Sequence, residues 1–209
     1  RCSFPELTSH QEDVITGVLM SDGYINRRDG RYPRLKVDSV NEEYLSFLDE
    51  MFGGFSTGSP VCYRTSEEEA KREKPDRFEN SSYQDLYTWT SRSIPQLKKW
   101  ADWYESGEKI WPEDIELSPT VLKHLYAGDG SLHKTHNVVT IYLSNEMGNR
   151  DKVDSYFTDR NLPCPIWDEQ ERSDGSISAR IRWNKKESKE LLEYMGTPAA
   201  GHEYKWLKK

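Results

Sequence analysis

The stretch "VITGVLMSDGYI", Val14 to Ile25, decides how the rest of the chain is read. Its valine, isoleucine, leucine and methionine read as an apolar helix running straight into Ser21-Asp22-Gly23. A helix C-terminus already carries partial negative charge on its unpaired carbonyls, so an aspartate there is disfavoured unless a cation offsets it. Asp-Gly is also an ordinary turn, in which glycine supplies the left-handed residue that ends many helices. A single occurrence fits that simpler reading.

The pattern occurs twice. "SPTVLKHLYAGDGSL", Ser118 to Leu132, repeats an apolar helix, a small residue, Asp-Gly and a short strand. Asp22 and Asp129 stand about half the 209-residue chain apart. Both helices carry start signals. Ser9-His10-Gln11-Glu12 has the capping-box form, and Ser118-Pro119 is an N-cap followed by proline at the first helical position.

The segments after the two helices are matched too. In the first half, "YINRR" and the alternating "RLKVDSV" read as strands, followed by a helix over 41–52. "GSPVCYR" and "YQDLYTWTS" add two strands, and "IPQLKKWADWY" a helix. In the second half, "SLHK" and "NVVTIYLS" form a hairpin and 146–160 a helix. "PIWDEQ" and "SISARIRW" then pair around the Ser173-Asp174-Gly175 turn, before a closing helix over 185–194. The fold class predicted is α+β, with two pseudo-symmetric αββαββα halves and antiparallel sheets. The halves run over 1–112 and 113–209, meeting near Trp111-Pro112-Glu113-Asp114, and a charged insertion at about 65–82 interrupts the first.

Composition narrows the class. Hydrophobic content is only 34%, but 12% aromatics, including seven Trp and twelve Tyr, are too many for a disordered chain. No apolar run approaches the ~20 residues that span a bilayer, and no signal-peptide pattern opens the sequence. Cys2, Cys62 and Cys164 are odd in number and widely spaced, which argues against a disulfide framework or a zinc site. The expectation is an intracellular, non-secreted protein in a reducing setting. The net charge of −7 alone disfavours a nucleic-acid partner, but 29 Lys and Arg can still gather on one face.

The strands show where. Arg34, Lys36 and Asp38 share one face of "RLKVDSV", with Leu35 and Val37 on the other. Arg180 and Arg182 likewise oppose Ile181 and Trp183, and Tyr142 opposes Ile141 and Leu143. Such faces suit an ordinary half-solvated sheet. Cations at spacing two also suit contacts to phosphates or bases.

"ITGVLMSDG" and "LKHLYAGDG" resemble the paired motifs of the LAGLIDADG homing endonucleases in their single-chain, two-motif, monomeric form. The resemblance covers nearly the whole chain. "SGEKIWPEDIELSP" looks like the family's stretch before the second motif, and "LLEYMGTPAAGHEYKW" like its terminal segment with a Tyr-Lys pair. The sixth motif position is often acidic in the family but is Met20 and Ala127 here, and the usually small third position is Gly17 and then His124.

The resemblance implies that the two motif helices pack side by side through Gly17, Ser21, His124 and Gly128. His124 either fills the space opposite glycine or is a polar group satisfied within the interface. Packing brings Asp22 and Asp129 together as metal ligands, with Ser21 and Gly128 beside them. Mg²⁺ is the implied cofactor, with Mn²⁺ substituting and Ca²⁺ supporting binding without turnover. Lys109 and Lys205 take the family's paired-lysine positions, so Asp22, Asp129, Lys109 and Lys205 are the catalytic set. Arg28, Arg34, Lys36, Tyr142, Arg180 and Arg182 are the candidate contacts to double-stranded DNA. His133 and His136 fall in a hairpin turn near that DNA. The implied activity is a double-strand break in a long asymmetric target by a monomer. The rival readings are an intron RNA maturase and a catalytically weak DNA-binding protein on the same fold.

Overall fold

The computed structural model describes residues 5–27, 31–65, 84–104, 109–171, 175 and 177–207. Thr8, extended at φ −74° and ψ 155°, caps the first helix, α1 (Ser9–Met20). Its hydroxyl accepts from the Gln11 amide at 3.2 Å, and Gln11 Oε1 accepts from the Thr8 amide at 3.0 Å. The capping box therefore forms one residue earlier than the expected Ser9 and Glu12. Glu12 is left free to pair with Lys99 at 2.7 Å.

The first half continues through β1 (Gly23–Asn26), β2 (Arg34–Ser39), α2 (Glu42–Phe52), β3 (Val61–Arg64), β4 (Leu86–Thr90) and α3 (Lys98–Ala101). The second repeats the order as α4 (Pro119–Asp129), β5 (Gly130–His133), β6 (Val138–Tyr142), α5 (Arg150–Thr158), β7 (Ile166–Glu171), β8 (Ile177–Arg182) and α6 (Lys185–Met195). The strands form two four-stranded antiparallel sheets, ordered β1-β2-β4-β3 and β5-β6-β8-β7. The matched order is the pseudo-symmetry expected. Except for Thr65, the 65–82 insertion lies outside the described residues, as do Arg28 and Cys2.

Two helices are shorter than periodicity suggested. Around "IPQLKKWADWY" only Lys98–Ala101 is α-helical, between 3₁₀ turns at Pro95–Leu97 and Asp102–Tyr104. 3₁₀ turns are common at the ends of short α-helices, and this one sets Trp100 and Trp103 into the core. Near 146–160 the α-helix begins at Arg150, after a 3₁₀ segment Ser144–Asn149 that turns Glu146 inward to 3% exposure.

One contiguous core lies beneath both sheets. Val14, Ile15, Val18 and Leu19 of α1 meet Val121, Leu122, Leu125 and Tyr126 of α4 at its centre, all nearly inaccessible to solvent. Leu35, Val37 and Trp89 line the underside of one sheet, and Val139, Ile141 and Ile181 that of the other. Burying a side chain of this size stabilises by about 1.5–3 kcal/mol before entropy is counted. The opposite sheet faces carry Arg34, Lys36, Arg180 and Arg182, interleaved with Asp38 and Asp168. Exposed acid on the outer helices includes Glu42, Glu43 and Glu50 of α2 and Glu190 and Glu193 of α6. No helix among the described residues is long and apolar enough to cross a membrane.

Candidate active site

The site starts from how closely α1 and α4 approach. A Cβ placed on Gly17 would lie 2.4 Å from the Val121 carbonyl oxygen and 2.7 Å from His124 Cβ. One on Gly128 would lie 2.5 Å from Ser21 Cβ and Oγ. These glycines let the backbones touch. Asp13 on α1 accepts from the Ser118 hydroxyl at 2.7 Å, tying the start of α4 to α1.

His124 is also satisfied in place. The Tyr44 hydroxyl hydrogen-bonds its Nδ1 at 2.7 Å, and Phe47 stacks on its ring. Burial lowers its pKa to about 3, so it is neutral at physiological pH. Both readings of His124 describe it: it packs against Gly17 and is a polar group with a partner.

The glycines after the aspartates answer to crowding, not to handedness. Neither Gly23 nor Gly130 has a positive φ; Gly130 sits at −90°. A Cβ on Gly23 would lie 2.5 Å from Val18 Cγ1, and one on Gly130 2.3 Å from the Tyr126 carbonyl oxygen. Each strand folds straight back over the last helical turn. The left-handed turn expected from Asp-Gly does not form, and the required feature is the missing side chain.

That reversal leaves Asp22 and Asp129 at neighbouring helix ends. Asp22 reaches solvent on one side, yet burial among its other neighbours raises its pKa, with Lys205 and Lys109 opposing and Asp38 adding. Burial, then the Asp22 charge, raises Asp129 to about 6 against the same two lysines. Neither helix carries a basic residue in its last turn. The cations come from elsewhere in the chain.

Lys109 Nζ donates to the Ser21 carbonyl at 2.7 Å, closing the end of α1. Lys205 Nζ donates to the Ala127 carbonyl at 2.5 Å and the Gly128 carbonyl at 3.2 Å, closing the end of α4. Tyr126 braces this second lysine by donating to its backbone carbonyl at 2.8 Å. The charges are paired crosswise. The carboxylate acting most strongly on Lys109 is Asp129, and on Lys205 it is Asp22. Each lysine bonds one helix end and offsets both aspartates, the other helix's more strongly. Burial lowers both lysine pKa values, and the carboxylates hold them up.

The Ser21 hydroxyl turns into the interface, toward the carbonyls of Val18, Gly17 and His124, so at Ser21 and Gly128 the oxygens facing the corner are carbonyls. A cleft of about 250 Å³ beside Asp129 is lined by Lys109, Trp111, Tyr142 and Glu146. Glu146, absent from the sequence-derived site, pairs with Lys152 at 3.8 Å and accepts from Asn149 at 3.1 Å. The sequence placed it only at the start of a helix, and its burial follows from its neighbours.

Above this corner the sheet faces hold the remaining candidates. The Lys36 ammonium pairs with Asp38 at 3.1 Å and lies over the rings of Tyr24 and Tyr63. Arg34 is half-buried, and its Nε has no hydrogen-bond partner among the described residues. Tyr142, 46% exposed, is the cross-strand neighbour of Arg180, which Asp168 holds from β7. His133 and His136 stack at 4.8 Å in the β5–β6 turn.

The profile of the LAGLIDADG DNA endonuclease family matches residues 12–191. Among curated proteins none matches the chain. In structure it is similar to the homing endonuclease I-WcaI bound to its DNA recognition sequence. The TM-score is 0.74 and the identity 14%, over 99% of this chain and 89% of the other. It is also similar to the homing endonuclease I-DmoI, both in mesophilic variants and in complex with DNA and Mn. Each comparison gives a TM-score of 0.52 and 10% identity, over 90% of this chain and 97% or 98% of the other. At these identities the likenesses establish the shared fold. The family match runs across both repeats of a chain whose halves fold alike: the chain belongs to the LAGLIDADG DNA endonuclease family.

Proposed function

We propose that the protein is a site-specific homing endonuclease. It makes a metal-dependent double-strand break in a long, asymmetric DNA target by hydrolysing phosphodiesters, and it acts as a monomer. The observation that carries this reading is the shared corner, two carboxylates at two helix ends with a lysine at each, Lys205 buried and Lys109 half-buried.

The donor set fits a hard, oxygen-binding cation. Among the described residues no three His, Cys, Asp or Glu side chains gather as a metal cage. Mg²⁺ asks for less, taking one or two carboxylates and filling its shell with water and phosphate oxygens. Asp22 and Asp129 would hold it, with the Ser21 and Gly128 carbonyls beside them. Mn²⁺ would substitute, and Ca²⁺ would support binding without turnover; I-DmoI in complex with DNA and Mn supports a divalent ion. When bound, the ion supplies an acidified water and neutralises charge on the scissile phosphate.

The chain's own groups do the rest. Asp22 and Asp129, ionised, create the negative point between the helices. Lys109 and Lys205 keep that point tolerable before DNA arrives, then stabilise charge developing on phosphate or hold a water in line. Trp111 and Leu143 wall the cleft and limit stray water. Arg34, Lys36, Tyr142, Arg180 and Arg182 contact the duplex along the two sheets, and Arg28, outside the described residues, is a further candidate. Because these two faces carry different side chains, the target is asymmetric.

The test is cleavage of the sequences flanking the gene's insertion, joined without the intervening element. It is run with Mg²⁺, with Ca²⁺ and with EDTA. A break in Mg²⁺ alone, with binding in Ca²⁺, is the expected result. Binding without cleavage in Mg²⁺ contradicts it and favours an RNA maturase or a binding protein on this fold.

A further inference from the structure

On the face of the second sheet, Asp168 of β7 stands directly across from Arg180 of β8. One carboxylate oxygen, Oδ2, accepts from both Arg180 Nε at 2.9 Å and Nη2 at 2.5 Å. The same oxygen lies 3.9 Å from Arg182 Nε. Among the described residues the other oxygen, Oδ1, accepts no hydrogen bond. On its other side Arg180 neighbours Tyr142 of β6.

We propose that Asp168 and Arg180 form one base-reading unit for a G·C pair, with Asp168 determining specificity. The inference rests on the DNA-binding reading above. A guanidinium has five N–H donors. Asp168 occupies the Nε edge, and the Nη1 edge with the remaining Nη2 hydrogen points away from it. That outer fork matches O6 and N7 of guanine in the major groove. The vacant Oδ1 is an acceptor for an amino group, the feature cytosine presents there through N4. A pinned arginine is also pre-organised, losing less freedom on binding than a free one.

The aspartate makes little sense as part of a phosphate clamp. Phosphate contacts work through charge, and a carboxylate beside the cation weakens them. A cross-strand ion pair this exposed, with side chains 42% and 35% accessible, adds little to stability. Its physical consequence falls on recognition: it holds the fork in plane, and it repels phosphate and base edges that offer only acceptors. Lys36 on the first sheet works differently. Lys36 is a point charge over two tyrosine rings and cannot form a bidentate fork.

The experiment selects duplexes from a randomised pool in Ca²⁺ with the wild type, Asp168→Asn, Asp168→Ala and Arg180→Ala. Far-UV circular dichroism confirms that each variant folds. The wild type is expected to enrich a G·C pair on the side of the site covered by the second sheet. Arg180→Ala lowers that preference about tenfold. Both Asp168 variants blunt the same preference while binding random-sequence duplex several-fold more tightly at low salt. Uniformly weaker binding by Arg180→Ala, with every base preference intact, overturns the proposal. So does an unchanged profile in both Asp168 variants. If the wild type enriches no sequence, the DNA-binding reading itself fails and this inference falls with it.

Discussion

The two halves of the molecule treat their helix ends alike and their sheet faces differently. At both ends a lysine from a distant segment donates to terminal carbonyls, and a glycine follows the aspartate because the strand folds back on the helix. On the faces, one half holds a lysine between Asp38 and two tyrosines, and the other pins an arginine with Asp168. The contrast has a physical source. The helix ends meet each other, so each must fit a nearly identical partner. The faces meet only a ligand, and nothing inside the protein requires them to match. Even the shared corner is not fully symmetric: Lys205 is 8% exposed and spans several carbonyls, whereas Lys109 reaches one across an open cleft.

The largest effect that sharpens this comparison comes from the lysines. Lys109→Met and Lys205→Met should each lower single-turnover cleavage by about 10²–10³-fold, the scale of removing one charge-stabilising donor. Only Lys205→Met should also lower the melting temperature strongly, because it strands buried carbonyls of α4. Equal melting losses in the two variants would break the asymmetry.

Next come the glycines of the helix pair. Gly17→Ala drives a methyl against the Val121 backbone and should cost about 3 kcal/mol in urea unfolding. Gly128→Ala meets Ser21 Oγ, which can rotate away, and Ser21 Cβ, which is fixed to the backbone, and should cost about 2 kcal/mol. The reverse order would contradict the contacts assigned to each. Tyr44→Phe leaves His124 Nδ1 without its partner and should cost about 1 kcal/mol in the same assay, with cleavage unchanged.

The smallest effect is the pH dependence of the metal-free protein. Asp129 has a folded pKa of about 6 against an ordinary 3.8, so the native state binds more protons than the unfolded state between these values. Its contribution to stability is highest at low pH and is lost as pH rises from about 4 through 6. His124, lowered to about 3, acts in the opposite sense but is present in both wild type and Asp129→Asn. The difference between their stabilities in EDTA should therefore move in favour of Asp129→Asn across that window. A flat difference would mean that Asp129 is not strained by its neighbours.

Much of this was legible in the sequence, and particular residues show why. The repeat of apolar helix, Asp-Gly and strand is a local pattern, so the element order and the equivalence of Asp22 and Asp129 could be read directly, whereas their meeting in space followed from the family resemblance. Lys109 and Lys205 were reached only through family resemblance, since nothing local marks them as cations that close helix ends. The Tyr44–His124 bond joins positions 80 apart, and the Asp168–Arg180 unit depends on strand register. Glu146 appeared to start a helix, but a 3₁₀ turn and Lys152 hold it inside. For Gly23 and Gly130 the sequence suggested only a left-handed helix stop, because local rules weigh φ and cannot see Val18 or Tyr126 crowding from the helix before each glycine.

The most direct test of the account is strand-resolved cleavage of the cognate duplex in Mg²⁺ by Asp22→Asn and Asp129→Asn. Because each lysine bonds one helix end and acts on both aspartates, the account treats the corner as a single shared site. The account predicts that either substitution slows cleavage of both strands by about a thousandfold or more while leaving binding in Ca²⁺ intact. Near-normal nicking of one strand by either variant would mean two independent sites, and would contradict it.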